Sequence, residues 1–335
     1  MGTAATIHDV AAAAGVSLST ASRAINRSGR VSQDTIDKVQ QAVDRLGYQP
    51  NALARGMRNN KSNVVGLILS DIGNPLYVEI IRALELALRK HGYALLLGSS
   101  ENQRAQELEL LRFFRSKGAN VCILGPCESD DYAYVSELRA TMPILFFDRP
   151  HPHDAPAVSI AHREGARIAT QQLLQSGRQR IAVVMSSSQL QPTQERIEGV
   201  KQAYADHGVE WDDRLLIRFK TTMSFDAAVM EQMMQSPHRP DAFLCLGTRI
   251  LSGVIGVMQA MHITFPQDVS LISIGDTDFP RYYNPGISAI AWSAAEVVEH
   301  FTRAILALPA VMDSHVVPCQ VLERASSQAP QDHVA

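Results

Sequence analysis

From Val64 onward the chain alternates between short apolar strand-like runs and amphipathic helical stretches, and this alternation limits the possible folds more than any other feature of the sequence. VVGLIL (64–69), YALLLGSS (93–100), VCILGP (121–126) and PILFFD (143–148) read as strands buried on both faces, with helix-like stretches at 77–91, 104–117 and 131–140 between them. Such strands, joined through helices, imply a parallel sheet covered on both sides. A Pro- and His-rich loop at 150–157 precedes a second series: IAVVM (181–185), LLIRF (215–219), DAFLCLG (241–247) and VSLISIGD (269–276), separated by helices near 163–175, 194–207, 225–235 and 250–262. The expected fold class is α/β, with two doubly wound parallel sheets side by side. A chain of 335 residues, 46% hydrophobic, can bury cores of that number and size.

The first fifty residues follow another rule. Thr6 with Asp9 three residues on is a capping-box start for a helix that runs to Ala14 and stops at Gly15. Ser17 caps a second helix. Ser32 caps a third, in which Ile36, Val39, Val43 and Leu46 recur at helical spacing before Gly47. Pro50 closes this all-α module, and the short segment NALARGMR (51–58) follows. Charge separates the two parts as well: residues 1–62 carry eight Lys/Arg against four carboxylates, +4, whereas the whole chain is −3 and the remainder therefore −7. A small basic module on an acidic body points to a polyanion partner for the first part alone.

The second helix, SLSTASRAIN (17–26), shows what that partner is. At about 100° per residue, Ala21, Ala24 and Ile25 share one face, while Ser19, Ser22, Arg23 and Asn26 share the other and Leu18 sits at the border. Hydroxyls, an amide and a guanidinium beside one apolar side chain are the groups that touch base edges and phosphates in a major groove. A merely solvated helix face is the competing explanation. The helix–Gly-turn–helix order and the local positive charge favour DNA.

TIHDVAAAAGVSLSTASRAIN, VSQDTIDKVQQAVDRLGYQPN and ALARGMR together resemble the headpiece and hinge of the lactose-repressor/galactose-repressor family of bacterial transcription regulators. VVGLILSDIGNPLYVEII, FFDRP, GRQRIAVV, ERIEGV, VSLISIGD and LERASS resemble that family's effector-binding body in order and spacing, so the likeness runs from residue 6 to about 327. It implies an N-terminal helix-turn-helix headpiece (1–50), a hinge helix and linker (51–62), a bilobed periplasmic-binding-protein-like body for effector binding and dimerisation (63–327) and a flexible tail (328–335). Beyond Arg324 the polar tail SSQAPQDHVA is expected to fray. By the same resemblance, Leu18, Ser19 and Arg23 match the base-reading positions, and Thr20, Ser22 and Asn26 the supporting contacts. Asn51 and Ala54 match the hinge helix, and Met57 stands where the family usually has a leucine that wedges into the minor groove. Leu76, Tyr77, Asp148, Arg149, Arg196 and Asp276 match effector-cleft positions. Two departures affect the ligand. The family's Asn-Asp after a later strand is Gly247-Thr248 here, and the first acid of an aromatic-Asp-Asp/Asn run is Gly275. With two acid positions gone and Arg196 kept, the expected effector is a small anion such as a sugar acid or other polar carboxylate.

Other classes fit less well. No G-x-G-x-x-G, P-loop or G-x-S-x-G follows any strand, so no catalytic residue or cofactor is expected. Ser186, Ser187 and Ser188 read as a polar loop at the cleft. His151, His153 and Asp154 mimic a metal spacing, but a Pro-flanked surface loop explains them better, and no metal site is expected. The four cysteines form no C-x-x-C pair and read as reduced, mostly buried thiols. A solute-binding protein would share the bilobed body but needs a signal peptide, whose pattern the first residues lack; no apolar run approaches the ~20 residues of a membrane span. The expectation is a cytoplasmic homodimer that binds double-stranded operator DNA and a small effector, without a membrane partner. No leucine heptad in the tail supports a tetramer.

Overall fold

The computed structural model describes residues 5–48, 63–127, 133–149, 155–186, 190–219, 225–310 and 313–328, which fall in two compact units, Met1–Ser62 and Asn63–Ala335. The first holds helices α1 (Ile7–Ala14), α2 (Leu18–Ile25) and α3 (Gln33–Leu46). Thr6 N–H donates to Asp9 Oδ2 at 2.8 Å while Asp9 N–H donates to Thr6 Oγ1 at 3.4 Å, so the reciprocal cap forms as its spacing predicts. Ser17 and Ser32 accept from the backbone N–H groups of Thr20 and Thr35, and Gly15 and Gly47 take the left-handed conformation that ends α1 and α3. Val10, Ala24, Val39 and Ala42 form the buried centre. Leu46 lies outside it at 37% exposure: the inward stripe of α3 passes through Ala42 instead.

The second unit contains two six-stranded sheets. The first has the order β11-β5-β4-β3-β1-β2, with β1 (Val64–Leu69), β2 (Ala94–Ser99), β3 (Val121–Leu124), β4 (Ile144–Phe147), β5 (Ala157–Ile160) and β11 (His315–Val317), all parallel. The second has the order β12-β10-β9-β8-β6-β7, with β6 (Ile181–Ser186), β7 (Leu216–Phe219), β8 (Ala242–Cys245), β9 (Ser270–Ile274), β10 (Ser288–Trp292) and β12 (Cys319–Leu322). Here β12 runs antiparallel to β10 and the other pairings are parallel, so the two doubly wound parallel sheets form as expected, with one antiparallel edge. Each strand supplies both faces of its sheet by simple alternation. Val65, Leu67 and Leu69 join one core and Ile68 the opposite one, and Ala182 and Val184 are divided from Ile181, Val183 and Met185 in the same way.

Helices α4 (Pro75–Lys90), α5 (Arg104–Ser116) and α6 (Ala133–Arg139) belong to the first lobe, and α7 (His162–Gln175), α8 (Gln191–Asp206), α9 (Ala227–Gln235), α10 (Thr248–Ala260) and α11 (Asp278–Tyr282) to the second. Helix α12 (Ala294–Ala307) does not follow sequence order. It leaves the second sheet after β10 and buries Val297, Phe301 and Ile305 with Leu67, Leu84 and Phe147 of the first. The chain thus crosses between lobes three times, after β5, after β10 and between β11 and β12. Helices α7 and α8 pack so closely that a Cβ at Gly199 would lie 2.1 Å from the carbonyl oxygen of Arg163.

The expected loop at 150–157 ends earlier, since Ala157 already pairs in β5. The tail expectation also fails at its start. Ala325–Ser327 forms a short turn with Ser326 and Ser327 buried, Ser326 Oγ donating to Leu271 O at 2.5 Å and accepting from Ser288 N–H at 2.9 Å. Residues 329–335 lie outside the described residues, as do His151, His153, Asp154, Ser187 and Ser188. Cys122, Cys127 and Cys245 are buried and Cys319 is half-buried, and none of the four is in a disulfide. Among the described residues no helix is long and apolar enough to cross a membrane.

Candidate functional site

Two faces merit description, one in each unit. In the first unit, α2 buries Ala21 and Ala24 and turns Ser19, Arg23 and Asn26 outward, with Leu18, Thr20 and Ser22 half-buried. The helix itself steadies the outward groups. Arg23 Nε donates to the Ser19 carbonyl at 3.2 Å, Asn26 Nδ2 donates to the Ser22 carbonyl at 2.8 Å, and the Thr20 hydroxyl lies 2.8 Å from that of the cap residue Ser17. Arg23 and Arg27 also line a shallow concavity with Ser28, Gly29 and Gln33, so two guanidinium groups stand at one edge of the α2 face. Arg27 did not emerge from the sequence reading. It lies just beyond the end of α2, in the left-handed conformation at φ 49°, where helical spacing gives no guide to its direction. Asn51, Ala54 and Met57 lie outside the described residues.

In the second unit a cavity of about 260 Å3 opens where β1, β4, β6 and β8 end, at the carboxyl edges of both sheets. Open parallel sheets gather ligands at that edge. One wall carries a relay of buried groups. Asp148, held at φ 54°, accepts from Ile160 N–H at 3.1 Å and from His162 Nε2 at 2.9 Å, and His162 Nδ1 accepts from Arg196 Nε at 3.3 Å and Nη2 at 3.1 Å. Burial pushes the His162 pKa down, and the nearby Arg196 charge adds to this against the pull of Asp148. A neutral ring with its proton on Nε2 satisfies both neighbours. Burial lowers the pKa of Arg196 too, though a guanidinium keeps its charge. Arg149, 8% exposed, donates to Asn102 Oδ1 at 2.7 Å, the Pro126 carbonyl at 3.0 Å and Ser70 Oγ at 2.9 Å. Tyr77 packs edge-on against Phe147, with ring centroids 6.0 Å apart, and burial raises its phenol pKa.

Contacts between the lobes close the mouth of this cavity. Arg249 on α10 pairs with Asp71 after β1 and donates to the Gly73 carbonyl at 3.1 Å, and Thr248 Oγ1 lies 3.4 Å from Asn74 Oδ1. Leu76 fills the place that a side chain at 275 would occupy: a Cβ on Gly275, at φ 84°, would meet Leu76 Cδ2 at 1.9 Å.

The N-terminal part matches the family described as "Bacterial regulatory proteins, lacI family" over residues 6–51, and the body matches "Periplasmic binding protein-like domain" over residues 170–327. The chain belongs to the lacI family of bacterial regulatory proteins. As a lacI-family member it is a helix-turn-helix transcription regulator and not an enzyme. It is 27% identical to the HTH-type transcriptional repressor CytR of Escherichia coli, over 98% of this chain and 97% of that protein. It is 28% identical to catabolite control protein A of Staphylococcus epidermidis, over 85% and 86%. Among solved structures, the lac repressor dimer bound to operator and the anti-inducer ONPF superposes with a TM-score of 0.82 at 21% identity, over 98% of this chain and all of that one. A CelR–cellobiose complex superposes with a TM-score of 0.68 at 24% identity, over 96% and 99%. Both share the fold.

Within this lacI-family body, Leu76, Tyr77, Asp148, Arg149 and Arg196 all line the cavity, together with Thr248 and Arg249. Asp276 does not. Its carboxylate accepts from Arg324 Nη2 at 2.7 Å and from Arg281 Nη2 at 2.9 Å, so two arginines draw it into joining α11 to the C-terminal segment. The sequence reading missed Asp71, Asn102 and His162. Asp71 and Asn102 follow strand ends, which is a positional clue; His162 gains its place only by the β5–α7 crossing, which the sequence did not reveal.

Proposed function

We propose that this chain is a dimeric, effector-controlled repressor. In this reading residues 1–50 are the headpiece that sets α2 in the major groove, 51–62 the hinge and 63–327 the effector-binding body. Leu18, Ser19 and Arg23 read bases with Thr20, Ser22 and Asn26 in support, while Asn51, Ala54 and Met57 act in the minor groove. The relatives lend support by name: CytR is a transcriptional repressor, the lac repressor structure is a dimer bound to operator and an anti-inducer, and CelR is complexed with cellobiose. Effector binding between the lobes shifts their orientation and so operator affinity.

The effector is a small anion, such as a sugar acid or hydroxy carboxylate. The observation that carries this is the partner of Arg196: among the described residues its hydrogen bonds run to the neutral His162 and to no carboxylate. Three arginines line the cavity (Arg149, Arg196, Arg249) against two aspartates (Asp71, Asp148), with Asp71 engaged by Arg249 and Asp148 by His162. A planar guanidinium turned to a ligand suits a carboxylate, and Ser70, Asn74 and Thr193 offer partners for hydroxyls. Calorimetry with matched pairs of sugars and their acids tests this. Tighter binding of the acids is expected, lost in Arg196→Ala; tighter binding of the neutral members, or undiminished acid binding by the variant, overturns it. For DNA, Arg23→Ala should weaken operator binding by about 1–3 kcal/mol and leave random-sequence binding nearly unchanged. Equal losses on both would remove base reading by α2.

A further inference from the structure

Among the described residues, one group of three potential ligands brings its donor atoms within 4.8 Å of one another: Glu296, His300 and His315. Glu296 and His300 stand one turn apart on α12, on the same helical face. His315 opens β11, the edge strand of the first sheet, and tertiary pairing of β11 with β5 brings it to α12. The His315 and His300 rings stack with centroids 3.6 Å apart and planes 13° from parallel, and His315 Nε2 lies 2.7 Å from Glu296 Oε1. All three side chains are half-buried, with Glu296 and His315 each 32% exposed, so solvent reaches them while the protein holds them in place. Asp313 lines the same shallow crevice as His300 and adds negative potential.

We propose that Glu296, His300 and His315 form a binding site for a divalent first-row transition ion of the zinc class. Two imidazoles and one carboxylate select zinc, cobalt, nickel or copper over magnesium and calcium, which prefer all-oxygen shells. Three protein ligands leave the remaining coordination to water. A tetrahedral ion with bonds of about 2.0–2.1 Å holds its ligand atoms about 3.4 Å apart, so modest side-chain rotations close the present spacing. Coordination through Nε2 replaces the hydrogen bond from His315 to Glu296 and moves the ring proton of His315 to Nδ1. One imidazole swings out of the stack as the two lone pairs converge.

The position of the site gives the ion a structural role. Glu296 lies in the first turn of α12, just after the chain leaves β10 of the second sheet, and His315 begins the strand that leads through Pro318 into β12 of the same second sheet. An ion here fastens two of the three interlobe crossings to each other.

The test is zinc titration of the chelator-treated full-length chain, by competition with a chromophoric chelator and by calorimetry. One ion per chain is expected, with affinity at least tenfold weaker in His300→Ala and in His315→Ala and unchanged in His207→Ala, which removes an exposed histidine on the other lobe. Glu296→Gln, which keeps a side chain able to hydrogen-bond His315, should also weaken binding. Zinc should raise the melting temperature of the wild type and not of the two histidine variants. Stoichiometric binding that survives both histidine substitutions, or no stoichiometric binding by the wild type, overturns the assignment.

Discussion

In the headpiece each helix begins at a side-chain cap, Thr6, Ser17 or Ser32, whereas in the body α7 starts after Ala161 and α8 after Leu190 with no side-chain cap bond at all. Among the described residues the headpiece buries only six apolar side chains, four of them alanines, so local hydrogen bonds carry a large share of its order. Helices of the body lie on broad apolar sheets: α4, α9 and α12 still begin at the caps Asn74, Asp226 and Ser293, but α5, α7, α8 and α10 start with no side-chain cap bond and rely on packing. The smaller a core, the more its boundaries must be written in polar side chains.

Substitutions can sharpen or break this contrast. The largest effect is expected where body packing is tightest. Gly199→Ala places a methyl against a backbone oxygen 2.1 Å away and should destabilise the body by about 3 kcal/mol or more. Both tryptophans, Trp211 and Trp292, lie in the body, so urea titration followed by their fluorescence reports that unit alone. An unchanged midpoint would mean that α7 and α8 are free to separate.

Next in size is Gly275→Asp, which places an acid where the family resemblance of the sequence leads one to expect it. Strain at φ 84° and the clash with Leu76 should together cost about 2–3 kcal/mol. Adding Leu76→Ala should recover part of that loss, and no recovery would show that the backbone alone forbids the acid. A smaller effect follows from His162. Its folded pKa lies below the ordinary value of 6.5, so as pH falls below about 6.5 the unfolded chain takes up a proton that the folded chain refuses. Body stability should therefore be complete above that pH and fall by up to about 1.4 kcal/mol per unit below it, until the folded pKa is reached. Urea midpoints at pH 7.5 and 5.5 measure this. His162→Gln should flatten the dependence, and an equal slope in the variant would assign it elsewhere.

The smallest change tests the headpiece. Ser32→Ala should cost about 1 kcal/mol there, seen as faster amide exchange in α3, and leave the tryptophan transition of the body unmoved. A loss near zero would show that α3 does not depend on its cap.

What the sequence made legible divides along the same line. Caps, glycine stops and the outward face of α2 depend on residues a few positions apart, and all can be read from the chain. So can the strands β1 to β4 and β6 to β9, because unbroken apolar runs bounded by turns have few other uses. The destinations of α12 and β11 depend on contacts with residues more than a hundred positions earlier, and no local pattern encodes them. The cleft follows the same logic. Arg196 and Asp148 could be placed by their motifs, while the His162 link between them and the Asp71–Arg249 closure require the assembled lobes. Asp276 was misplaced for a related reason, since its two arginine partners arrive from separate stretches of chain.

The three crossings bear on how the protein is made. Phe147, Leu67 and Leu84 of the first lobe are covered by Val297, Phe301 and Ile305, and the edge of that lobe is completed by residues 315–317. A ribosome that has released the first 290 residues has therefore delivered almost the whole of both sheets without finishing either lobe. An apolar face stays bare until the last fifty residues emerge, and translation must run nearly to its end before the earliest strands are sealed. Nascent chains of this protein are thus candidates for chaperone capture late in synthesis, and a frameshift or stop codon within the body before α12 leaves that unit as a sticky fragment and not a smaller folded domain.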